Sequence, residues 1–291
     1  MKSFSLLLAA LLASTASAGH NPAPLDYAGT FTGAGKCALI NVVMDESGSM
    51  SRDQNFIKDT ALPRMARELK NATTYGYDHV FICSTGFTNY AGGAHARQLG
   101  CSTYNAAGTI NNPAAVNYML TGGFEDGWHG IQEAIDNVPS VIESKNLLST
   151  CTSIHKNIIL VTDEDRDNYD ASLSIAVKNH VQRTGYVLNV VAYVTIDGSS
   201  NNFGMKIDSS GTNSTIYVYD SSAPDGYVTN IRYGDYTTYV WGSGTTNDDY
   251  SELIVGTTGA LWSIQALRSR TLAAAFANVF VDVKVGLKQH V

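Results

Sequence analysis

The sequence predicts an α/β fold: a doubly wound, mostly parallel sheet with one antiparallel edge strand, flanked by helices and carrying a β-rich insertion. Three observations predict it. Short apolar runs rich in Val and Ile alternate with segments of helical period from residue 37 to residue 196. Such runs, too short for buried helices, fit strands covered on both faces, as in a parallel sheet. The alternation of strand and helix is the pattern of βαβ units. The rhythm then breaks between residues 197 and 247, where Gly, Ser, Thr and Tyr dominate, and resumes afterwards.

The elements follow in order. Residues 37–44 (CALINVVM) read as a buried strand ending in an acidic Ser-Gly-Ser turn. Residues 53–71 read as a helix, with Ile57, Ala61, Met65 and Leu69 along one face. Pro63 is expected to kink or break it, since proline lacks an N–H and collides with the preceding turn. Residues 79–85 (HVFICST) form a second strand. Ala91-Gly92-Gly93 supplies a turn, and residues 95–101 return antiparallel. Residues 113–120 are a short helix candidate, and a Gly-rich turn leads into a helix at 128–138 with Trp128, Ile131, Ala134 and Ile135 inward. The strand within 155–163 (NIILV) ends in Thr162-Asp163-Glu164-Asp165. A helix follows with Leu173, Ala176, Val177 and His180 or Val181 inward, stopped at Gly185. Residues 186–196 read as one long strand. In the insertion, the alternating pieces at 216–219 and 236–241 read as hairpins. A helix at 250–255, a strand at 260–263 and a helix at 269–278 close the domain.

Composition bounds the function. The chain has 291 residues and a formal net charge of −7, with only 15% charged residues. It contains no run of Lys and Arg, so it lacks the electrostatic footprint of a nucleic-acid binder. Residues 1–18 read as a signal peptide: Lys2, the apolar run 6–13 and the small-residue pattern Ala16-Ser17-Ala18. Residues 19–36 read as a leader segment and 37–285 as the domain. No other stretch has the roughly 18 apolar residues of a membrane span, so the expectation is a secreted, extracellular protein. The four cysteines then read as two disulfides, with three pairings open. A three-residue loop centred on Gly92 sets position 83 opposite position 101, which pairs Cys83 with Cys101 and leaves Cys37 with Cys151. Asn71 and Asn213 begin glycosylation sequons.

Three acidic loops border core elements: Asp45-x-Ser47-x-Ser49, Glu125-Asp126, and Asp163-Glu164-Asp165 with Asp167. Ligands of an open α/β sheet bind at the carboxyl ends of its strands, where the first and third loops sit. Carboxylates and hydroxyls are the oxygen ligands of hard cations such as Mg²⁺, Ca²⁺ or Mn²⁺. Alternation lets Asp45, Ser47 and Ser49 face one way, and Gly48 is expected to permit the tight path between the serines. No Cys or His cluster points to zinc, and His129 is not counted as a ligand. Glu164, Asp165 and Asp167 read equally well as a solvated acidic loop.

Asp45-Glu46-Ser47-Gly48-Ser49 after a buried strand resembles the metal-ion-dependent adhesion site of von Willebrand factor type A domains. The resemblance covers roughly residues 37–285, including the hairpin at 79–101 and the turn Thr257-Thr258-Gly259-Ala260. It implies a parallel sheet with one antiparallel edge strand. It also implies a cation held by Asp45, Ser47 and Ser49, with Asp163 as the third-loop aspartate. The family's second loop usually offers Thr; here Glu125 or Asp126 stands there, which is similar to integrin β-type domains. A carboxylate in that place strengthens cation binding and cancels part of its charge.

The function implied is that of a non-enzymatic adhesion protein that captures an extracellular protein or matrix ligand through an acidic side chain. An alternative is a matrix component whose metal only stabilises the fold and whose aromatic insertion drives self-association. Tyr217, Tyr219, Tyr227, Tyr233, Tyr236, Tyr239 and Trp241 are the candidate surface, although strand alternation buries about half of such a set. A metal-dependent hydrolase would need a general base beyond the acidic residues already assigned as ligands.

Overall fold

β1 (Gly35–Asp45) runs through the middle of the molecule with its residues from Cys37 onward buried. The computed structural model describes residues 32–71, 76–88, 95–105, 107–119, 122–123, 125–164, 166–167, 171–184, 186–242, 250–255, 257, 259–269 and 271–284. The signal-peptide expectation at 1–18 therefore lies outside the described residues, and the expected leader ends two residues inside β1. The alternation of β1 divides its side chains between two cores. Ala38, Ile40, Val42 and Met44 enter one layer; Cys37, Leu39 and Val43 enter the other.

After β1 come a 3₁₀ turn (Gly48–Met50), α1 (Ser51–Phe56), a π-type turn (Ile57–Ala61) and α2 (Leu62–Lys70). The irregularity expected at Pro63 takes the form of this π-type turn just before it. The Leu62 N–H bonds to the Ile57 carbonyl five residues back, and Pro63 falls in the first turn of α2. The wider turn absorbs the proline, which has no N–H to offer the helix interior. Ile57, Ala61, Met65 and Leu69 are all buried.

β2 (His79–Phe87) pairs parallel with β1, and β3 (Ala96–Thr103) pairs antiparallel with β2. Cys83 stands opposite Cys101 and is bonded to it, with Cα atoms 4.0 Å apart. A bulge follows, with Ser84 opposite Gly100 and Thr85 opposite Gln98. Gly100 has φ +110°, a backbone state that favours glycine. The bulge shifts the register by one residue, so the sequence arithmetic holds at the disulfide and fails beyond it. The Gly92 turn itself lies outside the described residues.

The 113–120 candidate is only a 3₁₀ turn at Pro113–Val116. Then come α3 (Gly127–Asp136), α4 (Val138–Ser144), α5 (Leu147–Thr150), β4 (Cys151–Val161) and α6 (Ala171–Thr184). The four inward residues expected of α3 are buried; on α6, Val177 and Val181 are buried while Ala176 is exposed. β4 pairs parallel with β1, and the Cys37–Cys151 disulfide joins them near their N-terminal ends with Cα atoms 5.8 Å apart.

The strand expected at 186–196 is two strands, β5 (Val187–Ala192) and β6 (Val194–Ile196), interrupted at exposed Tyr193. The insertion supplies β7 (Asn202–Ile207), β8 (Asn213–Tyr219), β9 (Tyr227–Tyr233) and β10 (Val240–Gly242). The chain closes with α7 (Glu252–Ile254), β11 (Leu261–Ser263), α8 (Ile264–Arg268) and α9 (Ala273–Lys284). The main sheet has the order β3-β2-β1-β4-β5-β11-β7-β8-β9, and β10 pairs with β6 as a separate ribbon. β2, β1, β4, β5 and β11 are mutually parallel. The insertion does not form a separate subdomain. It extends the sheet with three antiparallel strands beyond β11, so both edges are antiparallel.

Packing explains why. Phe203 and Tyr217 enter the layer beneath α1, α2, α8 and α9, and Tyr217 stacks on Trp262 with ring centroids 5.4 Å apart. Met205, Ile207 and Ile216 enter the opposite layer. Phe203, Met205, Ile207, Ile216 and Tyr217 of the insertion are therefore part of the core. Tyr233 and Trp241 remain exposed.

Candidate metal centre

Three loops meet at the C-terminal end of the parallel strands. Asp45 is the last residue of β1, Asp163 follows β4 by two residues, and Glu125 precedes α3. One carboxylate oxygen from each lies within 4.8 Å of the others. Opposite ligands of one ion are separated by about 4 Å for Mg²⁺ and about 5 Å for Ca²⁺, twice the respective metal–oxygen distances. The group thus has the span of a single hard cation.

The hydroxyls complete it. The Ser47 and Ser49 Oγ atoms are 3.0 Å apart, and the Ser49 hydroxyl donates to Asp163 Oδ1 at 3.0 Å. The Asp45 carboxylate is aimed by two donors, the Ser47 N–H (2.7 Å) and the Thr162 hydroxyl (2.9 Å). Gln54 Nε2 anchors the Asp45 carbonyl. Asp45 and Glu125 are buried, and Ser49 is exposed and marks the mouth. Gly48 is not the steric necessity expected: its φ is not left-handed, and a Cβ there would meet nothing within 4 Å.

Glu125 Oε2 is buried without a hydrogen-bond partner among the described residues. Burial, and then the charge of Asp45, holds the Glu125 carboxyl well above the ordinary carboxylate range; burial does the same to Asp45. A polypeptide rarely leaves a buried carboxylate oxygen unpaired. Clustered oxygens with an orphan among them fit a cation, and these residues could hold one.

The structure separates the two acidic neighbours. Asp126 caps α3 by accepting from the Trp128 N–H, and it also bonds His129 Nδ1 (2.7 Å) and Arg166 Nε (2.8 Å). It stands outside the carboxylate cluster. Burial alone would raise its carboxyl, but the bonds from His129 and Arg166 outweigh burial and hold it below its ordinary value. Arg166 also lies over the Trp128 ring, 4.7 Å from its centroid. Arg166→Ala leaves Asp126 buried without its guanidinium and is expected to cost about 3–5 kcal/mol in urea unfolding.

Neighbouring charges brace the loops. Glu46 turns away from the cluster; Arg97 Nε (2.8 Å) and Nη2 (2.5 Å) and the Met119 N–H (2.6 Å) all donate to it. Gly86 makes room, because a Cβ there would lie 2.3 Å from the Glu46 carboxylate. Asp167 is not a merely solvated residue. Its Oδ2 accepts from the Glu125 N–H at 2.7 Å and its own N–H returns a bond to the Glu125 carbonyl. Arg268 reaches from α8 to Asp163 Oδ2 (2.6 Å) and to buried Asp53 (2.6 Å). Thr162, Arg166 and Arg268 have no functional reading in the sequence, and Asp167 reads there only as part of the third acidic loop or as a solvated residue. Only Arg166 carried a signal, as the one basic residue inside the acidic run 163–167. Glu164 is exposed, and Asp165 lies outside the described residues.

No family model and no curated relative matches the chain. Solved structures do. The VWA domain of SpRpn10 is similar at 10% identity and TM-score 0.35, over 55% of this chain and 76% of that one. The pilus adhesin SpaC from Lactobacillus rhamnosus GG is similar at 16% identity and TM-score 0.35, over 56% of this chain. Proximal thread matrix protein 1 from the mussel byssus, with a zinc-occupied MIDAS motif, is similar at 12% identity and TM-score 0.32, also over 56% of this chain. The matches span only 24% of the adhesin and 37% of the byssus protein. Identities and TM-scores this low carry no argument about this chain's function. The parallel strands, the antiparallel β3 edge and the flanking helices are the layout that the resemblance to von Willebrand factor type A domains implies, here extended by β7–β9.

Proposed function

We propose that this chain is a secreted binding protein that captures an extracellular protein or matrix partner through a divalent cation, Mg²⁺, Ca²⁺ or Mn²⁺. The observation that supports it is the convergence of Asp45, Glu125 and Asp163 within 4.8 Å, with Glu125 Oε2 orphaned. In this reading Asp45, Glu125, Ser47 and Ser49 hold the ion and Asp163 holds it directly or through Ser49. Asp167 and Thr162 position the ligands. When bound, the ion offers a coordination position to an acidic oxygen of the partner. Arg268 is shared with Asp53 and so offsets only part of the cluster's charge, which weakens attraction for an acidic partner while favouring the ion. The protein is read as a binder and not a hydrolase, because the carboxylates that would serve as general base are those that ligate.

Titration calorimetry of the mature protein with Mg²⁺, Mn²⁺ and Ca²⁺ tests the reading. One site is expected, and Asp45→Ala should lose more than the roughly 10–100-fold that outer-sphere changes cost. Absence of binding, or unchanged binding in a folded Asp45→Ala variant, would sink it.

A further inference from the structure

Among the described residues β9 forms the outer edge of the sheet, and it is regular over its whole length. Its seven residues pair with β8 without a register shift. Two flanking bonds fix which backbone groups face outward: Asp220 N–H to the Gly226 carbonyl, and Gly234 N–H to the Thr212 carbonyl. Antiparallel pairing alternates, so Val228, Asn230 and Arg232 exchange hydrogen bonds with β8. The N–H and C=O of Thr229 and Ile231 then point away from the sheet.

Natural edges are blunted by Lys, Pro, bulges or inward charges. Residues 227–233 (YVTNIRY) contain no Lys, Asp, Glu or Pro. The one charge, Arg232, is drawn sideways to Asp197 at 2.7 Å. Ile231 and Tyr233 are 59% and 74% exposed.

The segment also matches itself in reverse. Turned antiparallel about Asn230, it sets Thr229 against Ile231 of a second copy, Tyr227 against Tyr233, and Asn230 against Asn230. The Thr229–Ile231 pairs fall where both strands offer outward N–H and C=O groups, so each pair closes two backbone bonds. The Asn230 pair falls at a non-hydrogen-bonded position, where side chains approach most closely and two amides can bond each other. Aromatic pairs close both ends. An arbitrary strand would not satisfy all three conditions in a single register.

We propose that two copies of this chain associate through β9, antiparallel about a twofold axis at Asn230, into one continuous sheet. This surface is independent of the carboxylate cluster, so the test is run in EDTA. Sedimentation of the mature chain should show a concentration-dependent dimer. Thr229→Pro removes an outward N–H without touching the β8 ladder, a position where an edge strand tolerates proline. Losing the two backbone bonds it makes across the twofold should weaken the dimer at least about tenfold, with far-UV dichroism and unfolding midpoint unchanged. Ile231→Lys places charge on the same edge and should do likewise. A parent chain that stays monomeric to about 100-fold the concentration of a micromolar association overturns the proposal. A dimer that survives both substitutions overturns it equally. Should residues 19–31 of the same chain occupy this edge, the parent is monomeric and the first of these results is obtained.

Discussion

Without metal, Glu125→Gln unfolds at a higher temperature than the parent chain, and it no longer gains stability when Mg²⁺ is added. The first half follows from the orphaned Oε2. Glu125 is buried beside Asp45 and Asp163, and among the described residues that oxygen has no hydrogen-bond partner. Replacing the ionisable carboxyl with a neutral amide relieves the cost of burying it, about 1–3 kcal/mol, which shifts the midpoint by roughly 2–4 °C per kcal/mol in a domain of this size. The second half follows from the loss of an anionic ligand, since an ion at 100 times its Kd stabilises by about 2.7 kcal/mol.

The pH dependence carries the same sign. The folded Glu125 and Asp45 carboxyls are held above their unfolded values by burial. Their contribution to metal-free stability is therefore fully present below the ordinary range near 4 and is lost as pH rises through the folded values. His155, held low by burial and Lys36, contributes the opposite slope in both proteins. Between pH 5 and 8 in EDTA, the parent midpoint should fall more steeply than that of Glu125→Gln. Equal slopes would show that Glu125 does not carry this penalty.

The larger loss of stability should come from the double variant Cys37→Ala/Cys151→Ala. That disulfide closes a sequence separation of 114 residues, against 18 for Cys83–Cys101. On a chain-entropy account the short loop is worth about 3 kcal/mol and the long one nearer 4–5. Urea unfolding of the two double variants compares them directly. A smaller loss at Cys37/Cys151 would count against the entropic origin of the difference.

The parallel sheet and its first acidic loop were legible because each element announced itself locally. β1 is an unbroken apolar run ending in Asp45-Glu46-Ser47, and both disulfides followed from register and strand position. What stayed hidden depends on contacts distant in sequence. Glu125 and Asp126 are adjacent and chemically alike; only the fold sends one to the cluster and the other to Arg166. Arg268 lies 105 residues from Asp163, and no local pattern joins them. The insertion's strands were visible in their alternation. Their membership of the main sheet was not, because β11, the strand they pair with, has only three residues and lies beyond them in sequence.

The two ends of β1 and β4 are treated differently. Asp45 and Asp163 stand at their C-terminal tips, and the Cys37–Cys151 bond joins them near their starts. Between these points the strands are paired from Lys36–Ser153 to Met44–Val161 without a break. Tension applied to a partner held at the tips would run lengthwise along both strands. Where that load enters through one strand more than the other, the hydrogen bonds of the pair would be loaded together in shear, not opened one after another. The covalent link at the far end would keep the strands from sliding past each other. On the proposed reading such a mounting would resist being pulled, and single-molecule extension through a ligand tether, with and without reductant, would register the difference as a change in rupture force.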